Sequence, residues 1–408
     1  MAPIRGRSRA RQWSSLPSEL LEIVAQKLSC SFDYVLFRSV CSSWRSATPR
    51  IKFAPLIMFP LDATTGTIKF FNPSDNQSFR VTKDYLRDKV LCGSSEGMLV
   101  LMDKRASMSL FNPFTGEQIP LPSGNAQLAL ASSGRYVMMI DGDHWVCISQ
   151  DWFFITVGEP IRLADMRSFF IKEVVLSSSV NFGGERYAMA TLSSSNKVAF
   201  CRLGDNRWTL LDTRLSTFVW SVTYCNGRFY AVDLLGDVAF CDVENPVSFT
   251  RQPLPEVTGI FTKFKLLDGR GKLMMVVLKI HPELLGNHNL DRYNYKVYRL
   301  EETTWVRVTS IGEDTLFVSR YYNSQSQYLG GVSGYQNSHS QYLGGRLQGW
   351  KGNCICFAEP TLFSMNPAVP DSVQMEFVDL ADGSKRFIET GETKNFSETI
   401  TWFKPNLM

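Results

Sequence analysis

Four histidines make up this chain's imidazole: His144, His281, His288 and His339. A helical metal site needs a second His or a Glu one turn away on the same face, and none of the four has such a neighbour. His281 and His288 bracket PELLGN, which reads as a loop. The closest cysteines, Cys354 and Cys356, are one residue apart and so share a strand face; no C-x-x-C pair exists. The nine thiols (Cys30, Cys41, Cys92, Cys147, Cys201, Cys225, Cys241, Cys354 and Cys356) are scattered, mostly within apolar runs such as VAFC. That pattern predicts reduced, buried thiols acting as small core groups, and a reducing compartment. CGSSEG (92–97) falls between two strand patterns and reads as a hairpin turn, not a phosphate cradle. Asp141-Gly142-Asp143 lacks the further acids of a calcium loop. There is no nucleophile elbow, Walker loop or dinucleotide fingerprint. Paired carboxylates of a glycosidase could converge from distant strands, but no pair nominates itself. The expectation is a non-enzyme without metal or cofactor.

If the chain does no chemistry, its elements have to present surfaces. Beyond residue 52, short alternating segments are separated by Gly, Asn and Asp turns, a β signal. One template recurs: apolar, any, apolar, apolar, then a polar turn and a bulky apolar residue. It reads IKFFNPSDNQSF from Ile68, MSLFNPFTGEQI from Met108, VAFCRLGDNRW from Val198, VAFCDVENPVSF from Val238, YKVYRLEETTW from Tyr295 and MEFVDLADGSKRF from Met375. Starts at 68 and 108, and at 198 and 238, are 40 apart, and the gap between has room for a degenerate seventh copy. A period of roughly 40–50 residues in all-β sequence is that of propeller blades. Six or seven blades are expected over residues 68–403, with TITWF (399–403) closing the ring and 51–67 holding a linker and the first strand. Two stacked β-sandwiches are the alternative architecture. YYNSQSQYLGGVSG (321–334) is repeated as YQNSHSQYLGGRLQ (335–348), a polar duplication that reads as a lengthened surface loop. No apolar run approaches the roughly 18 residues of a membrane helix, so no membrane association is expected.

The head differs. Residues 1–52 carry nine Lys/Arg and three Asp/Glu, against 34 and 36 in the rest. Residues 1–12, with Arg5, Arg7, Arg9 and Arg11, read as a disordered basic tail. From Trp13 two helical patterns follow. Pro17 suits a first turn, where its missing N–H costs nothing, and Leu20, Leu21, Val24 and Leu28 recur at helical spacing. Leu36, Phe37, Val40, Cys41 and Trp44 then share one side of a second pattern, ending near Thr48-Pro49. So small a unit buries too little surface to stand alone and needs a neighbour or a partner. A DNA-reading helix would present polar and basic side chains to bases; this one presents Phe37, Val40 and Trp44. No nucleic acid is expected.

Residues 13–50 resemble an F-box, on the evidence of Leu16-Pro17, the Leu20/Leu21/Ile23 cluster and Phe37-Arg38-x-Val40-Cys41-x-x-Trp44-Arg45. Residues 56–403 resemble the kelch-like domain of plant F-box proteins through CGSSEGMLVL, LFNPFTGEQIPLP, VVLSSS, KVAFCRLGDNRWT, CNGRFYAVD and KGNCICF. The resemblance implies a three-helix head docking a Skp-type linker protein, and through it a cullin, via Leu16, Pro17, Leu20, Leu21, Ile23, Phe37, Val40, Cys41, Trp44 and Arg45. The chain would then be a substrate adaptor in the cytoplasm, the nucleus or both, its propeller binding an unknown protein target for ubiquitination. A purely structural head, or a hydrolase acting on a small molecule or sugar through the channel, are the alternatives. The duplication at 321–348 departs from the family.

Overall fold

The structure is a computed structural model. It describes residues 13–28, 31–48, 55–73, 76–103, 105–124, 136–141, 144–149, 161–162, 171–177, 185–192, 196–243, 262–280, 293–319, 341–343, 352–360, 372–393 and 401–405. The chain forms two compact units, Met1–Phe53 with Leu407–Met408, and Ala54–Asn406.

In the first unit a single 3-10 turn, Trp13–Ser15, precedes three helices: α1 (Ser18–Gln26), α2 (Ser31–Ser39) and α3 (Ser42–Ser46). Pro17 caps α1 instead of entering it, and its carbonyl accepts the amides of Leu20 and Leu21 at 3.1 and 3.2 Å. The second pattern read from sequence is not one helix. Cys41 is extended (φ −162°, ψ 173°) and restarts the chain as the cap of α3, while Ser39 Oγ bonds back to the Leu36 carbonyl at 2.7 Å. A hydroxyl competing for a helix-end carbonyl weakens continuation there.

Among the described residues the second unit holds seven sheets, six of which form a ring of blades. Blade 1 joins both ends of the unit, in the order Thr401–Phe403, Leu56–Met58, Thr67–Asn72, Gln77–Thr82. Blade 2 comprises Val90–Ser95, Met98–Met102, Met108–Phe111 and Gln118–Leu121. Blade 3 comprises Ile171–Leu176, Tyr187–Leu192, Lys197–Arg202 and Thr209–Asp212. Blade 4 has three described strands, Val219–Cys225, Arg228–Asp233 and Val238–Cys241; the fourth read from sequence, SFTRQPL, lies outside the described residues. Blade 5 comprises Thr262–Asp268, Leu273–Ile280, Tyr293–Glu301 and Thr304–Val308. Blade 6 runs Gln341–Leu343, Thr315–Ser319, Cys354–Pro360, Ser372–Asp379, Lys385–Thr393.

The six copies of the sequence template are the third main strands of the six blades, numbering outward from the ring's inner edge and leaving aside the added strand Gln341–Leu343. These strands are apolar on both faces because each blade is covered on both sides, the usual reason for near-continuous hydrophobic strands. Met108–Phe111, for instance, is buried at all four positions. Cores fill the interfaces between successive blades, including one shared by Val100, Leu110, Val174 and Ala190. The last interface, between blades 1 and 2, is aromatic: Phe114 lies 5.5 Å from Phe70 and 5.9 Å from Phe403, centroid to centroid.

The space for a seventh copy is used differently. Tyr136–Asp141, His144–Ser149 and Ile161–Arg162 form a separate three-stranded sheet. It stands outside the ring, because blades 2 and 3 touch directly at both edges. Ser95 Oγ accepts the Leu176 amide at 3.0 Å at the inner edge, and Trp208 Nε1 donates to the Pro122 carbonyl at 2.8 Å at the outer edge. Thr401–Phe403 closes the ring as expected, pairing Trp402 with Ile57 in blade 1.

Blade 6 corrects the reading of the duplication as loop alone. Gln341–Leu343, from its second copy, is an added edge strand against Thr315–Ser319. The excursion between 319 and 354 returns the chain to the start of its own strand, so Thr315–Ser319 pairs parallel with Cys354–Pro360. The first copy, and Gly142-Asp143 of the acidic turn, lie outside the described residues. In CGSSEG, Glu96 and Gly97 both take positive φ (49° and 76°) and form the hairpin turn expected.

Candidate partner-docking surface

Among the described residues the head's core comprises Leu21, Ala25, Tyr34 and Phe37, with Leu16, Leu28, Trp44 and Ala47 packed at its margin. Leu21 and Ala25 on α1, with Leu28 just beyond its end, follow the i, i+4, i+7 stripe that faces inward. On α2, Tyr34, Phe37 and Arg38 do the same. The Phe37 and Trp44 rings lie 4.5 Å apart between centroids, and Trp44 Nε1 donates to the Trp13 carbonyl at 2.9 Å, tying the entry turn to α3. Arg38 is buried; its guanidinium donates to Thr48 Oγ1 at 2.9 Å and to the Thr48 carbonyl. Arg45 Nε donates to the Arg38 carbonyl at 3.4 Å.

The residues chosen from sequence therefore fall into two sets. Leu21 and Phe37 are buried and build the core, while Leu16, Cys41, Trp44 and Arg45 are half-buried. Leu20, Ile23 and Val40 are exposed, at 48%, 51% and 56%, and so is Pro17. Trp13 (63%), Val24 (45%) and Leu36 (39%) are also exposed and were not chosen. Their signal was in the helical spacing: Leu20, Ile23 and Val24 form an i, i+3, i+4 set, and Leu36 and Val40 lie one turn apart. Among its described residues so small a unit turns six large apolar side chains outward, more oily surface than its interior can take up.

The second unit offers no comparable nominee for catalysis among the described residues. Its buried acids are engaged. Glu173 Oε1 accepts Lys265 Nζ at 2.8 Å, and Oε2 accepts the Val222 amide at 3.4 Å. Asp314 pairs with Arg270 at 2.5 Å, and Asp233 and Asp379 accept backbone amides of their own turns. Burial raises the thiols, with Cys201 and Cys241 pushed up to about 12, so these are protonated core groups and not nucleophiles. No cluster of His, Cys, Asp or Glu suited to a metal occurs among the described residues.

A small apolar-faced helical head on a β-propeller describes a class of adaptor protein, and comparison with known families agrees. The F-box domain model matches residues 13–53, and the KIB1-4 beta-propeller model matches residues 70–384. The chain belongs to the KIB1-4 β-propeller family and is a plant F-box protein of that family. Among its relatives in Arabidopsis thaliana is F-box protein SKIP23, 25% identical over 334 residues that cover 75% of this chain and 77% of that protein. Another is the F-box/kelch-repeat protein At1g64840, 24% identical over 331 residues, covering 76% and 78%. Of solved structures, the β-propeller domain of Cps50 (Swd1) from Myceliophteria thermophila aligns over 83% of this chain and 98% of its own at 8% identity and TM-score 0.32. The propeller assignment thus rests on the sheets themselves. F-box propeller proteins are in general substrate adaptors and not enzymes.

Proposed function

We propose that this chain is the substrate-recognition subunit of a Skp–cullin–F-box ubiquitin ligase. The head docks a Skp-type linker protein, which brings the cullin. The propeller holds a protein target, and its role in ubiquitin transfer is proximity and orientation. The observation that carries this reading is the outward set Trp13, Leu20, Ile23, Val24, Leu36 and Val40 on a head too small to cover it. Apolar anchors on helices fit a helix-in-groove partner, with a few side chains dominating the energy. Trp44 and Phe37 act by holding these helices together. The reduced, buried thiols fit work in the cytoplasm or nucleus, which fractionation of a tagged chain would test.

The test is a pull-down with a recombinant plant Skp-type linker. Leu20→Ala with Val40→Ala removes surface anchors only, so the variant should fold and lose at least about tenfold in affinity. Val306→Ala, an exposed apolar position on blade 5, is the control. Undiminished linker binding by the double variant would refute the reading.

A further inference from the structure

The duplicated segment holds two copies of one strand, and blade 6 has one place for it. Gln341–Leu343 pairs antiparallel with Thr315–Ser319 at the inner edge of the blade, with Leu316 opposite Tyr342. The six residues from Ser340 to Gly345, SQYLGG, recur unchanged from Ser326 to Gly331, 14 residues earlier. That earlier copy lies outside the described residues. Each of Gln341, Tyr342 and Leu343 thus has an identical counterpart in Gln327, Tyr328 and Leu329, with the same neighbours on either side. Strand register is specified by which side chains the pattern puts on which face, and two identical strands specify it equally.

Chain length favours neither copy. With Gln341–Leu343 in place, 23 residues connect Phe317 to Gln341 and 10 connect Leu343 to Cys354. With Gln327–Leu329 in place the two connections would hold 9 and 24 residues. Closure cost grows only with the logarithm of loop length, so on this count the two arrangements differ by about 1.1-fold in population. We infer that the edge position of blade 6 is shared, and that the protein exchanges between two arrangements of the same fold with either copy in the strand. The exchange has a consequence for the surface. Phe317 meets Gln341 at one end of the strand pair, whereas Leu343 and Cys354 both lie against Thr315 at the other. The unused copy belongs to the connection at the Phe317 end in the observed arrangement and to the connection at the Thr315 end after exchange. Blade strands run from one face of a propeller to the other, so exchange carries a polar segment of 14 residues across the ring. Anything that holds the unused copy on one face draws the protein into that arrangement, by as much as it prefers it. This device belongs to blade 6 alone and is independent of the adaptor reading.

The experiment is a disulfide trap in the full chain. Leu316→Cys is combined in turn with Tyr342→Cys, Tyr328→Cys and Val332→Cys, and the crosslink formed on brief oxidation is quantified by peptide mass spectrometry. Directly opposed positions on paired strands lie within reach of a disulfide. The native Cys354 and Cys356 pack in a different core from Leu316 and do not compete. Tyr342→Cys and Tyr328→Cys should crosslink to within about threefold of each other, as near-equal closure costs require. Val332→Cys, four residues past Tyr328 and outside the repeated strand, should not crosslink. A crosslink from Tyr342→Cys alone, from neither copy, or from Val332→Cys as readily as from Tyr328→Cys would overturn the inference. A second measurement spares the buried Leu316. Deleting residues 335–348 leaves the first copy as the sole occupant, and the melting temperature should stay within about 1 °C of the native value. A fall as large as that caused by replacing Gln-Tyr-Leu with Gly-Ser-Gly in both copies would show that the first copy cannot fill the position.

Discussion

Lys265→Met should be among the more damaging single changes in the propeller. Lys265 and Glu173 lie on the first strands of blades 5 and 3, and the first strand of blade 4, whose Val222 amide also meets Glu173, runs between them. Their side chains are 7% and 3% exposed and 2.8 Å apart. A register shift just before Glu173 turns the strand where this side chain leaves it, as bulges commonly do. Removing the ammonium takes from the buried carboxylate the cation 2.8 Å away, a cost of about 3–5 kcal/mol. For a domain of this size each kcal/mol lowers the melting temperature by about 2 °C, giving about 6–10 °C. Replacing both groups, Glu173→Leu with Lys265→Met, removes the stranded charge and should recover most of the loss, since buried ion pairs are often no better than apolar replacements. Calorimetry at one scan rate on native, single and double variants measures this. A single variant melting within about 1 °C of the native chain, or a double variant no better than the single, would refute the reasoning.

Three further outcomes are expected. Of the seven cysteines described as free thiols, Cys41 alone is not buried, so N-ethylmaleimide near pH 8 should label it first, and bound linker should shield it. Raising the pH should also weaken the fold: the unfolded thiols ionise near 9.0, whereas Cys201 and Cys241 stay protonated to about 12, so stability falls progressively across that interval. Trp402 is fully buried where the last strand of the second unit pairs with its first, and Trp402→Ala should cost about 3–5 kcal/mol in chemical denaturation while leaving linker binding by the head intact.

Much of this protein was legible in its residues. The template beginning at Ile68, Met108, Val198, Val238, Tyr295 and Met375 marks one strand in every blade, because each blade must bury both faces and repeats the same pattern to do so. The split of the head's apolar residues into inward and outward sets was only half legible: helical spacing groups Leu20 with Ile23 and Val24, but it cannot say which stripe another helix covers. The stretch from Leu36 to Trp44 looked like a single face, and Cys41 broke it, since a cap conformation depends on competing hydrogen bonds that periodicity does not record.

Local pattern by itself determined the strand repeat and the apolar head, since these follow from which side chains water rejects at what spacing. Only the tertiary structure decided that the three-stranded sheet at 136–162 stands outside the ring and that the second copy of the duplication supplies an edge strand. The same holds for the meeting of Glu173 with Lys265 across blade 4. Contacts between residues far apart in sequence are set by how whole blades pack, and no short window of sequence contains that information.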